Sequence, residues 1–401
     1  MPDDELSRPE ASRRHKLLEV AAIFLRLGIT AFGGPAAHIG LMEQEFVQRR
    51  RWLSHEQFLD LLGATNMIPG PNSTEMAIYI GRSRAGWRGL IIAGVCFIVP
   101  AMVLVGVIAW AYVRFGKLAQ VQAILYGIKP VIIAIVVQAL WRLGRAAVKN
   151  KLLAFMGLGA TAASFLGVHE LLVLFGTGVL VMLLHGLTRA SQNSARAAAL
   201  PFFAQAATGT AVSGASLAVA HAVVPFSIWG LFLFFLKVGS VLFGSGYVLL
   251  AFLRADLVER WHWLTGSQLL DAVAVGQVTP GPLFTTATFI GYVLGGPSAA
   301  VLATVGIFLP AFVFTAISGP LIPRLRQWAW AGALLDGVNV ASLGLMAVVT
   351  WQLAAGALVD WLTWLLALVA GAIALRWQIN SAWLVLGGAL AGGLALLLRQ
   401  G

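Results

Sequence analysis

The sequence predicts an all-α, polytopic helical membrane protein with two inverted-topology repeats, whose helices are broken by glycine and proline or fold as re-entrant hairpins. Three observations predict this fold. Of 401 residues, 59% are hydrophobic and only 11% are charged, whereas a soluble domain carries about 25% charged residues. Long apolar runs recur along the chain, and one pattern of Gly-Pro breaks occurs twice.

The apolar runs indicate membrane helices, because spanning a bilayer takes roughly 20 apolar residues. The clearest runs are residues 90–109, 131–140, 171–184, 301–316 and 361–375. The formal net charge is +11, but the basic residues cluster at the ends of these runs. They therefore indicate membrane topology and contact with lipid headgroups, and no nucleic acid is expected as a partner.

The second half of the chain repeats the first at an offset of 211 residues. Phe32-Gly33-Gly34 corresponds to Phe243-Gly244-Ser245, and Pro69-Gly70-Pro71 corresponds to Pro280-Gly281-Pro282. The other matched positions are Glu45 with Asp256, Trp52 with Trp263, Gln57 with Gln268 and Asp60 with Asp271. A duplicated pattern of breaks in so apolar a chain is typical of secondary transporters.

Basic clusters predict the orientation, because loops rich in lysine and arginine face the cytoplasm. The loop after the first Pro-Gly-Pro motif carries Arg82, Arg84 and Arg88, whereas the loop after the second, residues 294–298, is uncharged. We therefore expect the second repeat to be inverted. The predicted division is a cytoplasmic N-terminal tail (1–16), a first repeat (17–188), a connecting segment with an extra crossing (189–225) and a second repeat (226–401).

Within the first repeat, residues 17–48 and 54–81 are expected to form two hairpins or re-entrant pairs, bent at the Gly-Gly-Pro and Pro-Gly-Pro motifs. Plain crossings follow, for about ten to thirteen crossings in the whole chain. Ser54 with Gln57, and Thr265 with Gln268, fit capping boxes. These patterns predict that a helix begins shortly before each Pro-Gly-Pro break.

The breaks are candidate anion sites. A helix that begins after Pro71 or Pro282 exposes N–H groups without partners, and a bound anion would satisfy them. A plain kink is the alternative for any single break, but the pair at a fixed offset favours function. The candidate substrate-binding residues at the breaks are Gly33, Gly34, Pro69, Gly70, Pro71, Asn72, Ser73, Thr74, Gly244, Ser245, Gly246, Thr279, Pro280, Gly281, Pro282, Thr285 and Thr286.

Two cations and one acid complete the candidate site. Arg26 matches Lys237 across the repeats, and together they could neutralise a dianion near the membrane midplane. The alternative is snorkelling from a helix end. Glu75, matched by Thr286, is a proton-coupling candidate because burial favours the protonated form of a carboxyl. A salt bridge with a cation such as Arg26, or a stabilising contact with the helix dipole, is the alternative.

Other chemistries are disfavoured. The sequence has no ATP-binding G-x-x-x-x-G-K-[ST] motif, its histidines lack metal-ligand spacing, and Cys96 is the only cysteine. No cofactor or metal is expected, and any pumping must use an ion gradient or a partner. A membrane-embedded enzyme acting on a lipid phosphate would need converging acid–base groups, so it ranks low. The sequence leaves the oligomeric state open, a homodimer included.

These motifs resemble those of the chromate ion transporter family, in its two-domain long-chain form. The family's F-G-G-P-like and P-G-P elements stand here as Phe32-Gly33-Gly34-Pro35 and Pro69-Gly70-Pro71, with the second copies at Phe243 and Pro280. The second copy has Ser245-Gly246 in place of Gly34-Pro35, so the two breaks need not be equivalent.

The resemblance implies chromate efflux across a bacterial inner membrane, with the N-terminus in the cytoplasm, and hence chromate resistance. Proton coupling is the expected energy source. Sulfate is an isosteric competitor, and uptake or exchange of sulfate-like oxyanions on the same scaffold is the alternative function.

Overall fold

The computed structural model describes residues 7–32, 34–192, 225–243, 246–318, 329–377 and 379–400. Over these ranges the chain is helical and has no β-strand. The extra crossing expected in the connecting segment falls largely on residues 193–224, outside the described residues. The fold class predicted from the sequence, an all-α polytopic membrane protein, is confirmed.

In the part of the chain that the structure describes, each half has seven α-helices. Those of the first half are α1 (Ser7–Thr30), α2 (Gly34–Glu43), α3 (His55–Thr65), α4 (Asn72–Phe115), α5 (Ala119–Ala147), α6 (Lys151–Phe165) and α7 (Glu170–Gln192). Those of the second half are α8 (Ile228–Val241), α9 (Leu249–Phe252), α10 (Gly266–Val278), α11 (Thr286–Ser318), α12 (Ala329–Ala357), α13 (Trp361–Trp377) and α14 (Ser381–Gln400). A π-helical segment follows α2 (Gln44–Arg49) and α9 (Leu253–Arg260), and a 3₁₀ turn (Leu283–Thr285) precedes α11.

Helix length and composition fit a bilayer. In the described residues, six helices are long and apolar enough to cross a membrane, within α4, α5, α7, α11, α12 and α14. Three shorter helices, α6, α8 and α13, are also apolar. Large apolar side chains such as Leu158, Leu172 and Trp361 are exposed along these helices. An apolar outer surface of this extent is suited to lipid rather than water.

The backbone of the two halves matches in its unusual details. Arg51 and His262, 211 residues apart, both have a positive φ, of 52° and 54°. Gly86 and Gly296, 210 residues apart, have φ values of 65° and 73° that glycine adopts without strain. The capping boxes of Ser54 and Thr265 are both present, as the sequence predicted.

The bend at Gly86 divides α4 into two segments, 72–84 (α4a) and 87–115 (α4b). Gly81 lies against Gly89 and Ala93, so the two segments pack side by side in opposite directions. The bend at Gly296 divides α11 in the same way into 286–294 (α11a) and 297–318 (α11b). α4a and α11a are thus the returning arms of re-entrant pairs.

The halves are inverted relative to each other. Gly70, just before α4a, lies beside Ala311, and Tyr79 at the far end of α4a lies beside Ser318. α4a therefore runs parallel to α11b. Because α4a is antiparallel to α4b, the equivalent segments α4b and α11b run in opposite directions. Such helices are related by an axis perpendicular to them, which lies in the membrane plane when they span the bilayer.

The halves are also interlocked at their ends. α6 and α7 pack on α12 of the second half, and α13 and α14 pack on α5 of the first. The backbone of Gly127 on α5 contacts Gly388 on α14, and Gly337 on α12 contacts Gly178 on α7 in the equivalent place. Small residues at such crossings let membrane helices approach closely.

We predict that Gly388→Ala destabilises the protein by about 1–3 kcal/mol, because its Cβ would lie 2.7 Å from the carbonyl oxygen of Gly127 and 2.7 Å from Val131. Gly387→Ala is the matched control, since a Cβ at Gly387 meets nothing within 4 Å. The melting temperature of the detergent-solubilised protein measures the difference. Equal melting temperatures for the two variants would show that this crossing is loosely packed.

Candidate functional site

The two Pro-Gly-Pro breaks are joined to the opposite halves by a reciprocal pair of hydrogen bonds. The amide nitrogen of Gly70 donates to the carbonyl oxygen of Leu242 at 2.9 Å, and that of Gly281 donates to the carbonyl oxygen of Ala31 at 2.9 Å. Leu242 directly follows α8 and Ala31 directly follows α1, so both precede the Phe-Gly-Ser and Phe-Gly-Gly breaks at Phe243 and Phe32. The structure therefore places each Pro-Gly-Pro break beside the helix break of the other half.

Both junctions require glycine. Gly70 and Gly281 have φ values of 139° and 86°, which L side chains rarely adopt. A Cβ on Gly281 would lie 2.7 Å from the Cβ of Ala101 and 3.3 Å from the carbonyl oxygen of Gly28. A Cβ on Gly70 would overlap the carboxyl group of Glu75. The close approach of the halves at this point depends on the missing side chains.

The second break is closed and uses its own hydroxyl groups. Thr279, Thr285 and Thr286 are buried, and their hydroxyls donate to the carbonyl oxygens of Val275, Pro282 and Leu283 at 2.8–2.9 Å. Pro280, Gly281 and Pro282 are buried as well. These hydroxyl protons are already engaged within the helix, so they are not free to bind an anion in this conformation.

The first break keeps unused hydrogen-bonding groups. Thr74 is fully buried, and its hydroxyl has no hydrogen-bond partner among the described residues. Ser73 and Pro71 are also buried, whereas Pro69 and Asn72 are partly exposed. Asn72 Nδ2 donates to Oδ1 of the exposed Asn66 at 2.6 Å. The first break is thus the more open of the two and the one with free donors.

Glu75 is 0% exposed, and within the described part of the chain neither of its carboxyl oxygens has a hydrogen-bond partner. It lies beside Gly70, at the start of α4a. Burying an ionised carboxylate without a partner is strongly unfavourable. A group kept in such a place in a membrane helix is a functional candidate by default.

The structure pairs Arg26 and Lys237 with acids of their own halves. Arg26 Nη2 lies 2.8 Å from Glu45 Oε2, and Lys237 Nζ contacts Asp256. Glu45 and Asp256 are 211 residues apart, so the same ion pair occurs twice. Each cation packs against a buried acid, and no described contact joins Arg26 to Lys237. The duplicated Glu45–Asp256 match in the sequence was the signal for this arrangement.

Each buried acid also pairs with an arginine four residues later in the chain. Arg49 lies 3.4 Å from Glu45, and Arg260 contacts Asp256. Burial alone would favour the neutral form of Glu45, but hydrogen bonds and charges of Arg50 and Arg26 outweigh it and hold the pKa of this carboxyl below its usual value. These clusters therefore tie the π-helical segments to α1 and α8.

Three of the sequence candidates, Gly33, Gly244 and Ser245, lie outside the described residues. Gly34 begins α2 with a φ of 79°, and a Cβ there would meet nothing within 4 Å. Gly246 is buried, and a Cβ on it would lie 3.0 Å from Leu283. At the breaks that follow Phe32 and Phe243, the structure therefore describes only the flanking residues.

His38 lies at the junction between Ala31 and Gly281. Its Nε2 is 3.1 Å from the carbonyl oxygen of Ala31, the same oxygen that accepts from Gly281. The side chain is 1% exposed, and its Nδ1 has no hydrogen-bond partner in the described ranges. His38 follows the Gly33-Gly34-Pro35 break by a few residues, which was the only signal for it in the sequence.

Lys129 on α5 joins the two halves. Its Nζ lies 3.4 Å from Asp271 on α10 and donates to Ser267 at 2.6 Å. The Tyr112 hydroxyl donates to the other Asp271 oxygen at 2.9 Å. This cluster ties α4b and α5 to α10, and the match of Asp271 with Asp60 was its only sequence signal.

The larger of two cavities in the described part of the chain lies away from the breaks. A cavity of about 310 Å³ lies between the α6–α7 loop, the second π-helical segment and α12, with Glu170, Arg254, Glu259, Arg260 and Gln352 in its lining. The space next to Gly246, Gln277 and Thr286 is only about 10 Å³. An oxyanion does not fit there, so the second break is closed in this conformation.

Inverted halves, membrane-length helices and re-entrant Gly-Pro breaks define a membrane transport protein. The chain matches the chromate transporter family over residues 18–184 and 229–393, and it belongs to this family. Its relatives are transport proteins, so it is a transporter rather than an enzyme. No solved structure matches it.

Three curated relatives share most of the chain. It is 33% identical to the chromate transport protein of Cupriavidus metallidurans, over 94% of this chain and 93% of the relative. It is 34% identical to the chromate transport protein of Pseudomonas aeruginosa, over 84% and 80%. It is 30% identical to a probable chromate transport protein of Synechococcus elongatus, over 89% of each.

We predict that Asp256→Asn lowers the stability by about 1–3 kcal/mol, because it removes a buried acid shared by Lys237 and Arg260. Glu259→Gln is the matched control, since Glu259 is an acid of the same segment that pairs with Arg254 but is 49% exposed. Thermal unfolding in detergent compares the two. An unchanged melting temperature for Asp256→Asn would mean that the pair has no structural role.

Proposed function

We propose that the chain exports chromate from the cytoplasm across a bacterial inner membrane, with its N-terminus inside, and that Glu75 links anion binding to a proton. The observation that carries the proposal is the reciprocal pair of hydrogen bonds made by Gly70 and Gly281. These bonds set each Pro-Gly-Pro break beside a helix break of the other half. Chromate is the proposed substrate because three relatives are named as chromate transport proteins, one of them as a probable one.

The first break is the proposed anion site. α4a begins at Asn72 with its positive dipole end next to the buried Thr74 hydroxyl, which has no described partner. Backbone N–H groups and hydroxyls at a helix start bind tetrahedral oxyanions. Such donors recognise charge and shape, so sulfate is expected to compete. We expect Arg26, Lys237 and the groups of the second break to belong to the framework around this site, because each already has a partner within the protein.

Glu75 supplies the link to protons. A protonated Glu75 can donate a hydrogen bond to a bound oxyanion, whereas an ionised Glu75 would repel a dianion at close range. Anion binding and protonation of Glu75 therefore favour each other. A dianion that moves together with one proton carries one net negative charge. The inside-negative membrane potential drives that charge outward with about 2.3 kcal/mol per 100 mV.

We predict that Glu75→Gln removes the pH dependence of chromate binding. Glutamine keeps the shape of a protonated carboxyl but cannot lose the proton, so its affinity should be nearly constant where that of the wild type weakens as the pH rises. Glu170→Gln is the control, because Glu170 begins α7 and lines the distant cavity. Titration of the purified protein with chromate across pH measures it, and an unchanged pH profile in Glu75→Gln would exclude Glu75 from coupling.

The direction of transport has its own test. Inside-out membrane vesicles that contain the protein should accumulate labelled chromate when energised, and a protonophore should abolish the accumulation. Accumulation only in right-side-out vesicles would instead support uptake of sulfate-like oxyanions. An excess of sulfate should reduce the flux in either case, because both ions are tetrahedral dianions of similar size.

A further inference from the structure

We propose that α3 and α10, the equivalent helices that precede the two Pro-Gly-Pro breaks, dock in turn against an outer frame during the transport cycle. The outer frame is α5 and α12 together with the helices that pack on them, α6, α7, α13 and α14. In this structure α10 is docked and α3 is not. The inference goes beyond the proposed function, because it requires neither the direction of transport nor the role of Glu75.

The two helices differ in what they contact. Each packs on the long helix of its own half, α3 on α4 and α10 on α11. α10 also packs on α5, α12 and α14. The equivalent partners of α3 are α12, α5 and α7, but within the described ranges α3 makes contacts of comparable extent with none of them. α9 likewise packs on α12, whereas its counterpart α2 packs on α4. The halves therefore differ in docking rather than in their helices.

Burial differs in the same way at matched positions of α3 and α10. Leu59 is 46% exposed, whereas Leu270, 211 residues later, is 3% exposed. At the same offset, Asn66 is exposed and Gln277 is buried. Equivalent residues of a duplicated helix thus lie at the surface in one half and in the core in the other.

The exposed side of α3 leads to the first break. Asp60 is partly exposed and Asn66 is exposed, although polar groups in membrane segments normally face water or protein rather than lipid. Asn66 Oδ1 accepts a hydrogen bond from Asn72, the first residue of α4a. We therefore expect a water-filled crevice along α3 that gives access to the first break in this state, while docked α10 covers the second.

A cluster of side chains holds α10 in its docked position. Lys129 on α5 donates to Ser267 at 2.6 Å and lies 3.4 Å from the buried Asp271. Tyr112 on α4b donates to the other oxygen of the same carboxylate at 2.9 Å. These four side chains form a latch between α10 and the first half. Hydrogen bonds between charged groups are stronger than those between neutral groups, so the latch favours docking of α10.

The first half has a weaker counterpart of this latch. Asp60 on α3 takes the place of Asp271, but Asn339 on α12 takes that of Lys129, which lies 210 residues earlier. The same offset relates the glycine contacts that α5 and α12 make with α14 and α7. Because Asn339 is uncharged, docking of α3 gains no ion pair at this place. This difference in charge accounts for a structure in which α10 rather than α3 is docked.

Two cysteine pairs in the full-length protein report the two docked positions, in a Cys96→Ala background. Lys129→Cys with Ser267→Cys spans the observed contact of α10, and Glu56→Cys with Asn339→Cys spans the equivalent contact of α3. A short bis-methanethiosulfonate reagent cross-links each pair, and a reducing agent releases it. The first pair should cross-link at rest. The second should cross-link slowly at rest and faster while the proteoliposomes transport labelled chromate.

Each of these cross-links should abolish transport in proportion to the fraction of protein that carries it, and reduction should restore transport, because every cycle must leave both docked states. Lys149→Cys with Asp336→Cys is the matched control. These residues also form a lysine–aspartate pair between the halves, at 2.6 Å. Lys149 directly follows α5 and Asp336 lies on α12, so both belong to the outer frame and their cross-link should leave transport unchanged.

A second measurement needs no transport assay. Lys129→Asn removes the ion pair that favours docked α10, so it should speed cross-linking between Glu56→Cys and Asn339→Cys in the protein at rest. Lys149→Asn removes a lysine–aspartate pair within the outer frame and should leave this rate unchanged. If the wild type transports neither chromate nor sulfate, the proposed function fails, whereas this rate still tests the docking of α3.

Two results would overturn the proposal. One is transport at the uncross-linked rate by protein whose Lys129→Cys and Ser267→Cys side chains are joined. The other is a Glu56→Cys, Asn339→Cys pair that does not cross-link within one chain, either during transport or with Lys129→Asn. Cross-links between two chains, seen as a doubled mass on a denaturing gel, would assign the exposed side of α3 to a homodimer instead.

Discussion

Two backbone hydrogen bonds, from Gly70 to Leu242 and from Gly281 to Ala31, hold the centre of this protein together. In lipid, every free backbone group must find a partner, and a helix broken by proline leaves several without one. In each half, one such amide, that of Gly70 or Gly281, donates to a carbonyl oxygen of the other half. Each Pro-Gly-Pro break therefore depends on the other half for one of its backbone partners.

The symmetry of the backbone makes the differences between the halves informative. Ion pairs, capping boxes and positive-φ residues are duplicated, and they form the framework. Glu75, Tyr79, His38 and the open first break have no equivalent in the second half. A second buried carboxyl close to Glu75 would make it harder for either group to ionise. Polar groups found in one half alone are the candidates for chemistry.

The closed state of the second break fits a transporter that alternates between two open conformations. Bends at Gly86 and Gly296 separate the re-entrant segments from the long crossings. The interlocked ends, in which α6 and α7 pack on α12 while α13 and α14 pack on α5, join each half to a long helix of the other. Movement of α4a and α11a relative to this outer frame would open one face without separating the halves.

The sequence by itself determined the membrane class, the duplication, the helix breaks and both capping boxes, because these depend on composition and on local backbone chemistry. It also singled out Glu75 through the lack of an acid at the matched position. It did not determine the partners of Arg26 and Lys237, the tie between Lys129 and Asp271, or the contact between Tyr79 and Ser318. Those pairs join residues 19 to 239 positions apart, and only the packing of whole helices decides which side chains meet.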